Sequence, residues 1–328
     1  MRKLTLPISS IILVLTLQLL PGARAADDPY HADPAKIMGW EACNECHAPM
    51  VEAWKLTPHC TTFTTTHTTA EAKDIVKKMA FPRMKSGSLC LKCHYTIQND
   101  DSGKPTAISG ISCESCHGAA KDWIKVHNDV KVPDHFAKAE KLGMLNPNNY
   151  YFVAANCFSC HTVPEEKLVN VGGHKAGSDF ELVSWLSGEV RHNLQKSGGK
   201  VNEEIPVERR RMLYIVGRAL DLEFSIRGLA KATEDGAYSK AMMERINMAK
   251  AKLEEIAKAS DLAEVKKILE TVHADDLKPG NAAALDKMAD DLRGITSGLA
   301  KSQDGAKLAA VDSLIPAPDK YKGTAYKP

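Results

Sequence analysis

The chain has 328 residues and nearly balanced charge, 43 Lys and Arg against 41 Asp and Glu, for a formal +2. That balance excludes a nucleic-acid footprint, and the length suits two domains, each with its own apolar core. Aromatic residues make up only 6% of the chain, so another source of flat apolar mass is expected in its interior.

Residues 1–25 read as a cleavable signal peptide, with Arg2 and Lys3, an apolar run from Ile8 to Leu20, and Ala23-Arg24-Ala25 as a small-residue cleavage site. Cleavage near Ala26 removes three cations and no acids, which lowers the charge from +2 to −1. The run is short for a bilayer span, so export to the periplasm or beyond is expected over a retained anchor. No later segment reads as a membrane span, and no transmembrane segment is expected after signal removal.

Residues 26–195 form the first expected domain. Eight of the nine cysteines fall in four copies of one pattern: Cys43-Asn-Glu-Cys46-His47, Cys90-Leu-Lys-Cys93-His94, Cys113-Glu-Ser-Cys116-His117 and Cys157-Phe-Ser-Cys160-His161. Two thiols three positions apart can form thioethers to the two vinyl groups of one haem, and the adjoining His then ligates the iron from below. Zinc and disulfides are the rivals, but a zinc site does not require His after every second Cys. A thioredoxin-like dithiol would sit in a βαβ context that is missing here. Four covalently bound haem c groups are therefore expected, with His47, His94, His117 and His161 as proximal iron ligands. Haem carboxylates would make the mature protein more acidic than its sequence pI of 8.0 suggests.

The second axial position separates a carrier from a catalyst, because a second imidazole closes the iron and an empty position admits substrate. Eight His lie outside the motifs: His31, His59, His67, His127, His135, His174, His192 and His273.

The run from Trp54 to His59 after the first motif, the stretch Gly110 to Gly118 around the third, and the His that trail the third and fourth motifs resemble the cytochrome c554/c′ family of multihaem cytochromes. The resemblance covers roughly residues 36–195. It implies a mostly bis-His tetrahaem protein with closely stacked haems. Carried over by position, it makes His59 and His127 distal ligands, with His127 serving a different haem from the one beside it. His174 and His192 complete the expected set, and His67 or His31 could substitute. Some members of the family keep one haem five-coordinate.

Cys60, the odd thiol, reads as buried and inert, with an intermolecular disulfide or a redox-sensitive role as alternatives. The Thr-rich run from Thr57 to Thr69 reads as an irregular loop, since β-branched polar residues neither favour helix nor pattern as a buried strand here. Gly172-Gly173 and Gly198-Gly199 lack the context of a phosphate loop. No motif carries the Lys often found at the catalytic haem of ammonifying nitrite reductases.

Residues 196–206 read as a linker. Beyond them, residues 207–314 contain no cysteine and carry four amphipathic patterns. The first has Leu213, Val216, Leu220 and Phe224, and the second Met242, Ile246, Ala249, Leu253 and Ile256. A third, opened by Asp261 and Glu264 as a capping pair, has Val265, Ile268, Leu269 and Val272. The fourth, after Asn281, has Leu285, Met288, Leu292, Ile295 and Leu299. These predict a helical bundle, with pairing of the last helix in a homo-oligomer as the alternative. Arg209 to Arg211 read as a solvated helix start, or as a contact for haem carboxylates or an acidic partner. Residues 315–328 read as an extended tail that wraps or frays.

The expected fold class is mainly α: a tetrahaem domain of short helices and loops packed around haems, then a C-terminal helical bundle. The expected function is relay of electrons between redox partner proteins, a donor and an acceptor. The alternatives are an enzyme with one five-coordinate haem acting on nitric oxide, nitrite, hydroxylamine or a sulfur compound, and a haem filament.

Overall fold

A computed structural model of the chain describes residues 32–86 and 89–328. The expected signal peptide and His31 lie outside the described residues. The fold is mainly helical, as expected, and among the described residues the only sheet is a two-stranded antiparallel hairpin. None of the described helices is long and apolar enough to cross a membrane.

The first motif lies in α1 (Trp40–Lys55), a helix kinked at His47 and interrupted by Pro49, which lacks the amide hydrogen that would continue the ladder. Next come α2 (Pro58–Thr65), a short 3₁₀ turn (Thr66–Thr68) and α3 (Ala70–Lys78). The second motif ends α4 (Leu91–His94), and the hairpin β1 (Thr96–Asn99) and β2 (Pro105–Ser109) leads to the third in α5 (Cys113–His117). After α6 (His135–Lys141), the fourth motif closes α7 (Tyr150–His161), followed by α8 (Glu166–Asn170) and α9 (Leu182–Ser187).

The Thr-rich run is helical, contrary to the expected loop. Thr57 caps α2 by accepting from the Cys60 amide, and Pro58 occupies the first turn, where no amide donor is needed. The hydroxyls of Thr61 and Thr65 donate back to the carbonyls of Thr57 and Thr61, one turn earlier, at 3.2 and 3.1 Å. Threonine hydroxyls satisfied within the helix remove the competition that usually makes these residues poor helix formers.

The bundle consists of α10 (Val207–Ala230), α11 (Ala237–Ser260), α12 (Ala263–Thr271) and α13 (Ala282–Ser302). Each packs on the next and α13 returns to α10, so the stripe of α13 is covered within the chain. The predicted core residues of α11 are all buried, whereas Ile295 of α13 and Leu269 of α12 are only half-buried. The capping pair at α12 does not form: Asp261 adopts a left-handed conformation at the end of α11 and its carboxylate pairs with Lys266.

Burial of α10 exceeds the single predicted face. Met212, Ile215, Leu222 and Ile226 are as fully buried as Leu220, because α7 and α9 cover the side of α10 that faces away from the bundle. Tyr151 and Phe158 of α7 join the bundle core, and the Tyr151 hydroxyl donates to the buried Glu223 carboxylate at 2.8 Å. The apolar core is thus continuous across residues 196–206.

The Arg run is tied to other parts of the chain rather than simply solvated, with Arg209 and Arg210 still half-buried. Arg211 is buried and makes two hydrogen bonds to Asp312 at 2.6 and 2.7 Å; Arg210 donates to the Tyr321 hydroxyl, and Arg209 to the Pro147 carbonyl. The predicted tail wraps back along the molecule as a strap, donating from the Lys322 amide to the Ser184 carbonyl at 3.1 Å.

Candidate cofactor site: four paired imidazoles

Each motif occupies a helical turn, so its two Cys and its His, at positions i, i+3 and i+4, project from one face. All nine cysteines are free thiols. Among the described residues no three His, Cys, Asp or Glu side chains gather into a cage for a metal ion, so the arrangement offers no zinc tetrad.

Every motif His faces one imidazole from elsewhere in the chain. Ring centroids lie 6.2 Å apart for His47 and His127, 6.3 Å for His94 and His174, 6.3 Å for His117 and His192, and 6.2 Å for His161 and His59. Face-to-face stacking brings rings closer, as His161 on Phe180, at 4.4 Å. A metal–imidazole bond is about 2 Å and a ring nitrogen lies about 1 Å from its centroid, so two imidazoles on one ion have centroids about 6 Å apart. The four gaps match that span, so the residues present fit an iron between each pair.

The four expected distal residues are brought to the motifs, and none pairs with the motif nearest before it in sequence: His174 and His192 both follow the fourth motif yet face the second and third. His127 follows the third motif and faces the first; His59 follows the first and faces the fourth. Among the described residues no ring pair joins His67, His135 or His273 to a motif.

Second bonds orient the rings. A ring nitrogen that donates to a carbonyl leaves the opposite nitrogen with its lone pair for a metal. Nδ1 lies 3.3 Å from the Leu145 carbonyl in His117, 2.6 Å from Ile124 O in His127, 2.8 Å from Lys175 O in His174 and 2.7 Å from Val190 O in His192. His161 Nδ1 is 2.8 Å from the Ser178 hydroxyl, and the Gln195 side chain hydrogen-bonds His47. Nothing in the motif spacing reveals these partners, most of which are backbone carbonyls.

The environment favours neutral imidazole, the form a metal requires. Burial, reinforced by the facing His192, pushes His117 down to about 4. Burial and then His59 push His161 down to about 3. Burial likewise lowers His47, His59 and His94 below the ordinary histidine value. The thiol of Cys43 is raised first by its hydrogen bond with Cys113, and that of Cys93 by its bond with Cys160. Motifs one and three are therefore neighbours, as are motifs two and four. Cys60 is half-buried, and burial raises its thiol, as suits an unreactive group.

The segments between motifs hold the arrangement in register. Trp54 Nε1 donates to the Ile111 carbonyl at 2.8 Å, tying α1 to the third motif. Gly110 lies against the His59 carbonyl, where a β-carbon would collide, so the backbone carrying His59 can approach only a glycine. Glu114, buried inside the third motif, accepts from the amides of Gly39 at 2.7 Å and Ala120 at 2.8 Å. From the bundle, Arg245 is hydrogen-bonded to Asp221 and donates to the Ser178 carbonyl at 2.9 Å, fixing the residue that orients His161.

The family model for cytochrome c554 and c-prime matches residues 42–118. Residues 42–118 are similar to c-type cytochromes of the c554 kind. That segment includes three of the four motifs together with Trp54 and His59, and the family implies covalently bound haem c. Among curated proteins and among solved structures, no match to the chain is found.

Proposed function

We propose that the protein is an exported tetrahaem cytochrome that relays electrons between a donor and an acceptor protein. The observation that carries this reading is that all four motif His face a second imidazole across a gap one metal ion wide. Haem c supplies a one-electron couple at iron when bound. In this reading Cys43 and Cys46, Cys90 and Cys93, Cys113 and Cys116, and Cys157 and Cys160 tether it by thioethers. His47 and His127, His94 and His174, His117 and His192, and His161 and His59 would each hold one iron between them.

Two neutral imidazoles per iron, six of the eight oriented by a bond to the chain, would hold the same positions in both oxidation states, which keeps reorganisation small. They also close each iron to substrate, so the geometry favours a carrier over an enzyme. The test is haem content with axial ligation in the mature protein. Four haem additions by intact mass, low-spin paramagnetic resonance and no carbon monoxide uptake after reduction are expected. Uptake of carbon monoxide or nitric oxide by one haem equivalent of the native protein would overturn the carrier reading in favour of catalysis on a small nitrogen compound.

A further inference from the structure

The four partner imidazoles are not equally supported. His59, His127 and His174 are half-buried, whereas His192 is exposed and lies on the non-helical stretch between α9 and α10. Burial alone does not hold such a loop, so the bonds on either side of it decide where His192 stands. Some of those bonds close the loop on itself, as where the Asn193 amide donates to the Asn202 side chain at 2.8 Å, and others run to the strap of residues 315–328, which is distant in sequence.

Three residues before His192, the Glu189 amide donates to the Lys322 carbonyl at 2.8 Å. Beyond it, the buried Asn202 side chain donates at 2.8 Å to the carbonyl of Arg191, next to His192, and at 2.9 Å to that of Tyr326 in the strap. One amide group thus links the ligand loop to the strap. The Ser184 hydroxyl donates to the Lys320 carbonyl at 2.6 Å. At Gly188 the strap comes so close that a β-carbon would meet the Lys322 carbonyl. Gly323, at φ +65°, turns the strap beside the Glu189 side chain in a conformation that favours glycine. Arg210 and Arg211 anchor the strap and the turn before it to α10 through Tyr321 and Asp312.

We infer that residues 315–328 are a latch whose contacts with Gly188, Glu189 and Asn202 position His192 opposite His117, so that loosening the strap opens one iron of the four. The inference rests on the ligand assignment proposed above. It gives the bundle a part in the redox site, because the element that holds the most exposed axial ligand is rooted on α10. The step is a ligand exchange alone: the bond from His192 to iron is replaced by one from water or a small neutral ligand, with no change in oxidation state.

The test uses the mature full-length holoprotein and three variants. His192→Ala removes the ligand itself and sets the reference signal. Gly188→Ala pushes the strap away, and Asn202→Ala, which adds no atoms, releases the shared link if Gly188→Ala fails to mature. Carbon monoxide bound per reduced protein is expected to rise from none to about one in His192→Ala and toward the same value in the latch variants. A high-spin signal should appear at one haem while the other three remain low-spin. If His192→Ala opens one iron and both latch variants stay closed, the latch is wrong and the ligand assignment stands. If His192→Ala itself leaves every iron closed, the assignment of His192 falls. Opening of several irons in the latch variants would also overturn the inference, since general loosening would then explain it.

Discussion

The region before residue 150 and the region after residue 206 bury their apolar side chains in different ways. Beyond Pro206 the buried residues form one cluster, which extends back to include α7 and residues near α9. Before α7 the buried apolar residues form small separate groups around Tyr95 and Met84, around Met79, and around Trp123. Stripes of Leu, Ile and Met packed on one another suffice for the bundle, whereas the earlier region sets half-buried thiols and spaced imidazoles where a core would be. The difference teaches that the bundle is a fold of side chains alone, and that the motif region is a fold of side chains plus an attached group.

The sharpest way to break that comparison is to make the chain in a host unable to attach haem. Residues 32–149 should then be digested rapidly, while fragments beginning near Tyr150 survive, because α7 belongs to the bundle core. Limited proteolysis with mass-spectrometric assignment reads the result. Equal protection of both regions would show that the early half needs no attached group.

The converse experiment weakens only the bundle. Ile246 is fully buried among the helices, and Ile246→Ala should cost about 2–5 kcal/mol of stability through lost burial and the cavity left behind. Denaturant titration followed by circular dichroism measures the loss. The low-spin spectrum under native conditions should not change, since Ile246 lies in the bundle core and belongs to no imidazole pair.

These two regions also differ in how far residues alone disclose them. The motif triads are legible because residues such as Cys113, Cys116 and His117 recur at a local spacing, and the stripes of α11 and α13 because helical period is local too. The crossing of imidazole partners is not local: His127 reaches the first motif where Glu114 and Trp54 hold α1 against the third. The burial of α10 on all sides is not legible from its own residues, because α7, which covers its second face, reads as a motif carrier and not as a core helix. Arg211 looks like any basic helix start until Asp312, more than a hundred positions on, is placed beside it. The helical state of the Thr run depends on hydroxyls bonding back to carbonyls, which propensity scales average away.

Acidification should move the two regions in opposite directions. Histidines lowered by folding bind fewer protons in the folded state than in the unfolded chain, so their stabilisation is complete above the ordinary value of 6.5. It is lost as pH falls below that value, and the sign is the same where iron holds the imidazole, since a proton must then displace the metal. In and beside the bundle, burial raises Glu181, Asp221 and Glu223 above their ordinary values despite nearby arginines. A raised carboxylate holds its proton better when folded, so its contribution is present at low pH and lost as pH rises through the folded value. Between pH 6.5 and 4.5 the motif region should therefore weaken while the bundle firms. Hydrogen exchange resolved by region, corrected for intrinsic rates, tests the signs; a common sign in both would break the comparison.

The smallest effect probes the boundary between local and attached support. Thr57 caps α2, and its hydroxyl donates to the Trp54 carbonyl at 2.7 Å, so it joins the end of α1 to the helix that presents His59. Loss of an N-cap hydroxyl typically costs about 1 kcal/mol. Thr57→Ala should therefore raise amide exchange in α2 roughly fivefold, since about 1 kcal/mol corresponds to that factor in an opening equilibrium. If iron held between His59 and His161 pins α2 from its other end, the increase should be smaller in the holoprotein than in the unloaded chain. Comparing the two would then measure how much of this helix is held by its own cap and how much by the ligand bond, and equal increases would mean that the His59 bond contributes nothing to the order of α2.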